Sequence, residues 1–197
     1  MKHFIKEWGI FTLFIILLVL SRLFIWQPVK VDGHSMDPTL AHNERLIIVS
    51  KSKISRFDIV VAKESENGVK KEIVKRVIGM PGDTITYKND ILYVNGKKTS
   101  EPYLNDYIKK FKEDKLQSTY SYNQLFQQLA EASDAFTTDS KGSTEFTIKV
   151  PKGQYLLLGD DRIVSKDSRE VGTFKSKNLV GEVKFRFWPL SKIGILN

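Results

Sequence analysis

The chain has no cysteine, and only three histidines and six prolines in 197 residues. Without cysteine there is neither a disulfide framework nor thiolate metal ligation. Three scattered histidines (His3, His34 and His42) give no support to a zinc site. Internal repeats are absent, and so is the βαβ rhythm of a parallel sheet. No nucleic-acid motif accompanies the net charge of +8. That charge, spread as lysines along the chain, suits an anionic membrane or cell-wall surface as well as it suits a polyanion.

What the chain does have is one long apolar run. Residues 8–26 are apolar apart from Thr12, Ser21 and Arg22. As a helix this run is about 28 Å long, close to the hydrocarbon thickness of a bilayer. Trp8 and Trp26 fit the two interfacial belts, and Arg22 is placed to snorkel. Ser21 to Trp26 contains no small-x-small cleavage site, so the run reads as an uncleaved anchor. Lys2 and Lys6 favour a cytoplasmic N-terminus. The expected organisation is a cytoplasmic segment (1–7), a transmembrane anchor (8–26) and an extracytoplasmic domain (27–197).

After the anchor the pattern is mainly strand. Val29 and Val31 alternate with Lys30 and Asp32. Leu46 to Val49 and Ile59 to Val61 are short apolar runs. Thr84 to Tyr87, Asn89-Asp90, Ile91 to Val94 and Asn95-Gly96 predict a hairpin followed by a second tight turn. The expected fold is mainly β: a bent antiparallel sheet behind a single N-terminal helix. Residues 100–146 are rich in Lys, Asp, Gln, Ser and Thr, with helical spacing only around Leu125, Phe126, Leu129 and Ala130. They read as an inserted polar cap or mobile region.

Two stretches bear on chemistry. Ser35 lies in Gly33-His34-Ser35-Met36-Asp37-Pro38, a shaped turn that can present a nucleophile or hold an ordinary turn serine. A serine hydroxyl needs a neighbouring base. His3 precedes the apolar run, His34 is the adjacent residue, and His42 sits in a polar loop. Asp37 stands where a nucleophile elbow would need its second glycine. A serine–histidine pair is therefore poorly supported. In Glu72 to Ile78, strand alternation places Lys75 on one face with Ile73 and Val77, and Arg76 on the other with Val74 and Ile78. Lys75 is either a snorkelling edge cation or a desolvated amine able to take a proton.

With these stretches in view, the chain resembles the bacterial type I signal peptidases of the short Gram-positive kind. The resemblance rests on Ser35 to Leu40, on Arg45-Leu46 and on Lys75 to Asp83. Glu101 to Leu104, Gly159 to Arg162, Ser165 to Arg169 and Phe185 to Leu190 complete it, in that order. It implies a Ser–Lys serine protease that removes signal peptides from exported preproteins, with no cofactor and no nucleic acid. Its partners would be those signal peptides and membrane lipid, with the secretion translocase nearby. Ser35 would be the nucleophile and Lys75 the general base. Ser165 would hydrogen-bond the lysine, Asp167 and Arg169 would brace that loop, and Arg76 would pair with Asp160. Val29, Val31, Met36 and Leu40 are the expected lining of a pocket for small side chains.

Two positions depart from the family pattern. Gly33 stands where a Ser or Thr often helps hold the oxyanion, and Asp161 stands where Asn is common. Three other readings compete. A catalytically dead relative would lack turnover despite Ser35 and Lys75. A self-cleaving repressor would need a helix-turn-helix where this chain has its apolar run. A basic membrane-bound binding protein would leave the order of motifs unexplained.

Overall fold

The computed structural model describes residues 2–50, 52–66 and 68–196. Helix α1 spans Lys2–Phe24 and leads into strand β1, Trp26–Lys30. The apolar run is thus divided: Trp26 pairs with Val49 and is no longer helical. Pro28, two residues on, could not have continued the helix. Between Trp8 and Leu20 the large apolar side chains of α1 lie exposed. Among the described residues, no helix is long and apolar enough to cross a membrane.

The domain is built on two antiparallel sheets. After β1 come β2 (Arg45–Val49), β3 (Ile59–Glu66), β4 (Val69–Gly79), β5 (Thr84–Lys88), β6 (Ile91–Val94) and β7 (Lys97–Thr99). The chain returns to strand in β8 (Glu145–Lys149), β9 (Gln154–Leu158), β10 (Phe174–Lys175), β11 (Leu179–Trp188) and β12 (Gly194–Ile195). The larger sheet runs β1-β2-β11-β3-β4-β9-β10, with β12 also on β11, and the smaller runs β7-β6-β5-β8. The predicted hairpin is present as β5–β6. Asn89, Asp90 and Asn95 all take positive φ, which Asn and Asp tolerate in two-residue turns. Alternation explains the main core: Leu46, Ile48, Ile59, Val61 and Val183 face inward and meet Val31, Met36 and Leu40 from the first loop.

Residues 102–136 depart from the expected polar excursion. They form a short turn of 3-10 helix at Pro102–Leu104, then α2 (Asn105–Asp114) and α3 (Gln124–Ala132). Leu104, Tyr107, Phe111, Leu116, Tyr120, Ala130 and Phe136 form a buried cluster of their own. The polar composition hid this core because a helix buries only one stripe of its surface. Asn123 caps α3, its side chain accepting from the Leu125 and Phe126 N–H groups. A last short helix, α4 (Ser168–Val171), is capped in the same way by Asp167.

Candidate active site

Strand β4 positions the lysine. Its register places Lys75 opposite Val60 and Arg76 opposite Ile59, so the two cations leave the sheet on opposite faces. Lys75 is 4% exposed. Its Nζ donates to Ser35 Oγ at 2.6 Å. Burial drives the lysine down from 10.5 to about 8, although Asp167 and Glu64 pull the other way. The site therefore holds a substantial neutral amine near pH 8, within hydrogen-bonding distance of a serine. Both nearby histidines are engaged elsewhere. His34 Nδ1 is 2.9 Å from Asp37 Oδ2, and His42 Nδ1 accepts from the Gly33 N–H at 3.1 Å.

The loop after β9 closes the site from the other side. Gly159 is in tight contact: a Cβ built there would lie 2.2 Å from Ser165 Oγ and 2.3 Å from the Ser35 carbonyl oxygen. Only glycine lets the Ser35 loop and the 159–169 loop approach so closely. The Asp161 N–H donates to the Ser35 carbonyl at 3.2 Å, which ties the two loops together. Asp167 is fully buried. It accepts from the Gly159 N–H at 3.0 Å, and Arg169 donates to both its oxygens at 2.9 Å. Burial alone would raise the Asp167 carboxyl, but the Arg169 charge and these hydrogen bonds outweigh it and hold the group below the ordinary value. Ser165 Oγ, expected to bond Lys75, is buried and has no hydrogen-bond partner. In this structure the lysine points its hydrogen bond at Ser35 instead.

On the opposite face of β4, Arg76 donates to Asp160 through Nε at 2.8 Å and Nη2 at 2.6 Å. Thr39 Oγ1 donates to the same carboxylate at 2.6 Å, so the pair also anchors the loop that carries Ser35. Sequence reasoning overlooked a second buried pair. Arg162 Nη2 donates to Glu101 Oε1 at 2.6 Å, and the Tyr87 and Tyr103 hydroxyls donate to the same carboxylate. Both residues lie within the quoted motifs, yet nothing in their spacing shows that they meet across 61 residues.

The four residues expected to line a pocket lie in or against the core of the larger sheet. Val31, Met36 and Leu40 are at most 3% exposed and belong to the core of the larger sheet, with Val29 packed against it. None of the four lines the cleft beside Ser35 and Lys75, which encloses about 410 Å³. Its apolar walls are Ile73 and Val74 of β4, Phe126 of α3, and Val164. Phe126 was recognised only as part of a helical stripe.

The two departures now have physical accounts. Gly33 has φ +87°, a conformation that serine adopts only with strain. Asp161 is buried, and Tyr120 of the helical region donates to its Oδ1 at 2.6 Å. Burial raises this carboxyl to about 7, against the opposing Tyr120 hydrogen bond.

The structure thus brings a half-buried serine and a desolvated lysine into hydrogen-bond contact, a pair in which the amine could act as base to the hydroxyl. The chain matches the family described as signal peptidase, peptidase S26, over residues 5–188, and it belongs to that family. The family makes it an enzyme, a serine protease of the bacterial type I signal peptidase kind. It is 59% identical over 200 residues to a signal peptidase I of Streptococcus pneumoniae R6, covering 98% of this chain and 97% of that one. It is 40% identical over 198 residues to signal peptidase IB of Staphylococcus aureus COL, covering 98% and 94%. Among solved structures, a signal peptidase I from Enterococcus faecalis V583 aligns with TM-score 0.47 and 31% identity. That alignment covers 66% of this chain and 97% of that one.

Proposed function

We propose that this enzyme removes N-terminal signal peptides from exported preproteins, with Ser35 as nucleophile and Lys75 as general base. The observation that carries the assignment is the 2.6 Å contact between Lys75 Nζ and Ser35 Oγ, made by a lysine brought down to about 8. Neutral Lys75 takes the Ser35 proton as Oγ attacks the scissile carbonyl. The resulting ammonium then donates that proton to the departing amine, leaving an acyl-enzyme that water hydrolyses. The Ser35 backbone N–H is the donor available to the oxyanion, because Gly33 brings no side chain.

The substrate lies extended along β4. Before Arg76 this strand is paired with β3 on one side and, among the described residues, with no strand on the other. An open edge of this kind accepts a peptide by main-chain hydrogen bonds. Ile73, Val74, Phe126 and Val164 narrow the cleft beside Ser35, which favours small residues before the cut, as in Ala-x-Ala. Residues 100–146 form a cap over this side of the site, with Phe126 as its contribution to the cleft wall. The apolar run 8–26, whose residues up to Phe24 lie in α1 and whose Trp26 begins β1, is the basis for a membrane anchor, with residues 1–7 cytoplasmic and the domain on the extracytoplasmic face near the secretion translocase.

The test incubates the full chain, wild type and Ser35→Ala, with a preprotein in detergent. Wild type should release the mature protein by a single cut after a small residue, and Ser35→Ala should not. Equal processing by the two proteins, or none by wild type, would refute the assignment.

A further inference from the structure

Glu64 is a buried carboxylate that the mechanism above does not use. It lies on β3 between exposed Lys63 and Ser65, and is itself only 6% exposed. Register places it opposite Lys71, two pairs along from Ala62–Ile73 and four from Val60–Lys75. Directly opposed residues share a face, so Glu64, Ala62 and Val60 lie on the same side of the sheet as Lys71, Ile73 and Lys75. Glu64 lines the same cleft as Ser35 and Lys75. Lys71 Nζ is 3.1 Å from its Oε2, while its Oε1 is buried with no hydrogen-bond partner. A buried acceptor left unmade is costly, so its place in the cleft calls for an explanation.

We propose that Glu64 is a positioning residue for the reaction: with Asp167, it receives the positive charge that forms on Lys75 when the lysine takes the Ser35 proton. This rests on the assignment of Lys75 as base. The proton moves from Ser35 Oγ to Lys75 Nζ and creates an ammonium where apolar neighbours cannot solvate it. Asp167 is already engaged by Arg169 and the Gly159 N–H. Glu64 keeps one oxygen uncommitted, across a face carrying only Ala62 and Ile73 in between. Other charges also face the lysine. Asp167 and Arg169 come from the closing loop and Lys71 from its own strand; Glu72 lines the cleft, and Asp160 acts from the opposite face, where it pairs with Arg76. Lys30, Asp32, His34 and Lys166 line the rest of the cleft. Among the carboxylates that favour the ammonium, Glu64 is second only to Asp167.

The experiment compares wild type, Glu64→Gln and Glu64→Asp as full chains in detergent. It records kcat/KM against pH on a signal-peptide substrate and, separately, the titration of the Lys75 side chain by carbon NMR. Loss of the charge in Glu64→Gln should move the rising limb and the lysine titration to lower pH by about half a unit. At pH 6.5 its activity, relative to its own plateau, should then be about threefold higher than that of wild type. Glu64→Asp, which keeps the charge, should titrate close to wild type. An unmoved titration in Glu64→Gln, or one moved upward, overturns the proposal, whatever happens to the rate. If wild type cleaves nothing, the functional assignment fails, while the NMR titration still decides the role of Glu64.

Discussion

Replacing Lys75 with Met should make the protein more stable at neutral pH while destroying its activity. Lys75 is 4% exposed and its pKa falls from 10.5 to about 8, chiefly through burial. In the unfolded chain the same lysine has its ordinary value. Between about 8 and 10.5 the unfolded chain therefore binds more protons than the folded one, and stability rises with pH across that window. Below about 8 both states are protonated, and the full cost of holding an ammonium in the site is present. A fall of this size corresponds to about 3 kcal/mol. Methionine fills much the same volume without the charge, at the loss of a hydrogen bond to Ser35 worth about 1 kcal/mol. Lys75→Met should thus gain on the order of 2 kcal/mol at pH 7. The difference between the two proteins should shift by about 3 kcal/mol in favour of wild type by pH 10.5. Urea unfolding of both full chains in detergent at several pH values measures this directly. A stability difference that stays constant from pH 7 to pH 10.5 would refute the claim that Lys75 is held as a strained base.

Two further outcomes follow from the same geometry. Gly159→Ala should lower kcat by at least about tenfold, because its Cβ would press on both Ser165 Oγ and the Ser35 carbonyl oxygen; steady-state kinetics on a folded variant checks this. Tyr120→Phe should cost about 1–3 kcal/mol in urea unfolding, since it removes the hydrogen bond that the Asp161 carboxylate receives from the helical region; an unchanged midpoint would show that bond to be idle.

Much of the site was legible because its chemistry is local in sequence. Residue type and alternation single out Ser35, with no usable histidine, and Lys75, between Ile73 and Val77, as candidates; their proposed roles came from the family resemblance. The pairing of Arg76 with Asp160 and of Asp167 with Arg169 was implied by family resemblance, and each is a hydrogen-bonded pair in the structure. Alternation alone leaves the pocket lining open. It says that Val29 and Val31 share a face of an extended chain, but not whether that face looks into the core or the cleft. The core of the helical region was hidden for a related reason. Its buried aromatic residues are diluted by a polar surface, so composition reported the outside of the unit and missed its core.

The sequence by itself determined the antiparallel β character, the hairpin at 84–94 and the apolar N-terminal run, and it singled out Ser35 and Lys75 as candidates. These are properties of neighbouring residues, set by side-chain period, turn conformation and intrinsic chemistry. Only the tertiary structure decided what depends on segments far apart in the chain. It brought Gly159 against Ser35, Glu101 onto Arg162, Tyr120 onto Asp161 and Glu64 into the cleft of Lys75. It also decided the state of the lysine, because desolvation is produced by the side chains that surround a group in space, and one strand supplies only a few of them.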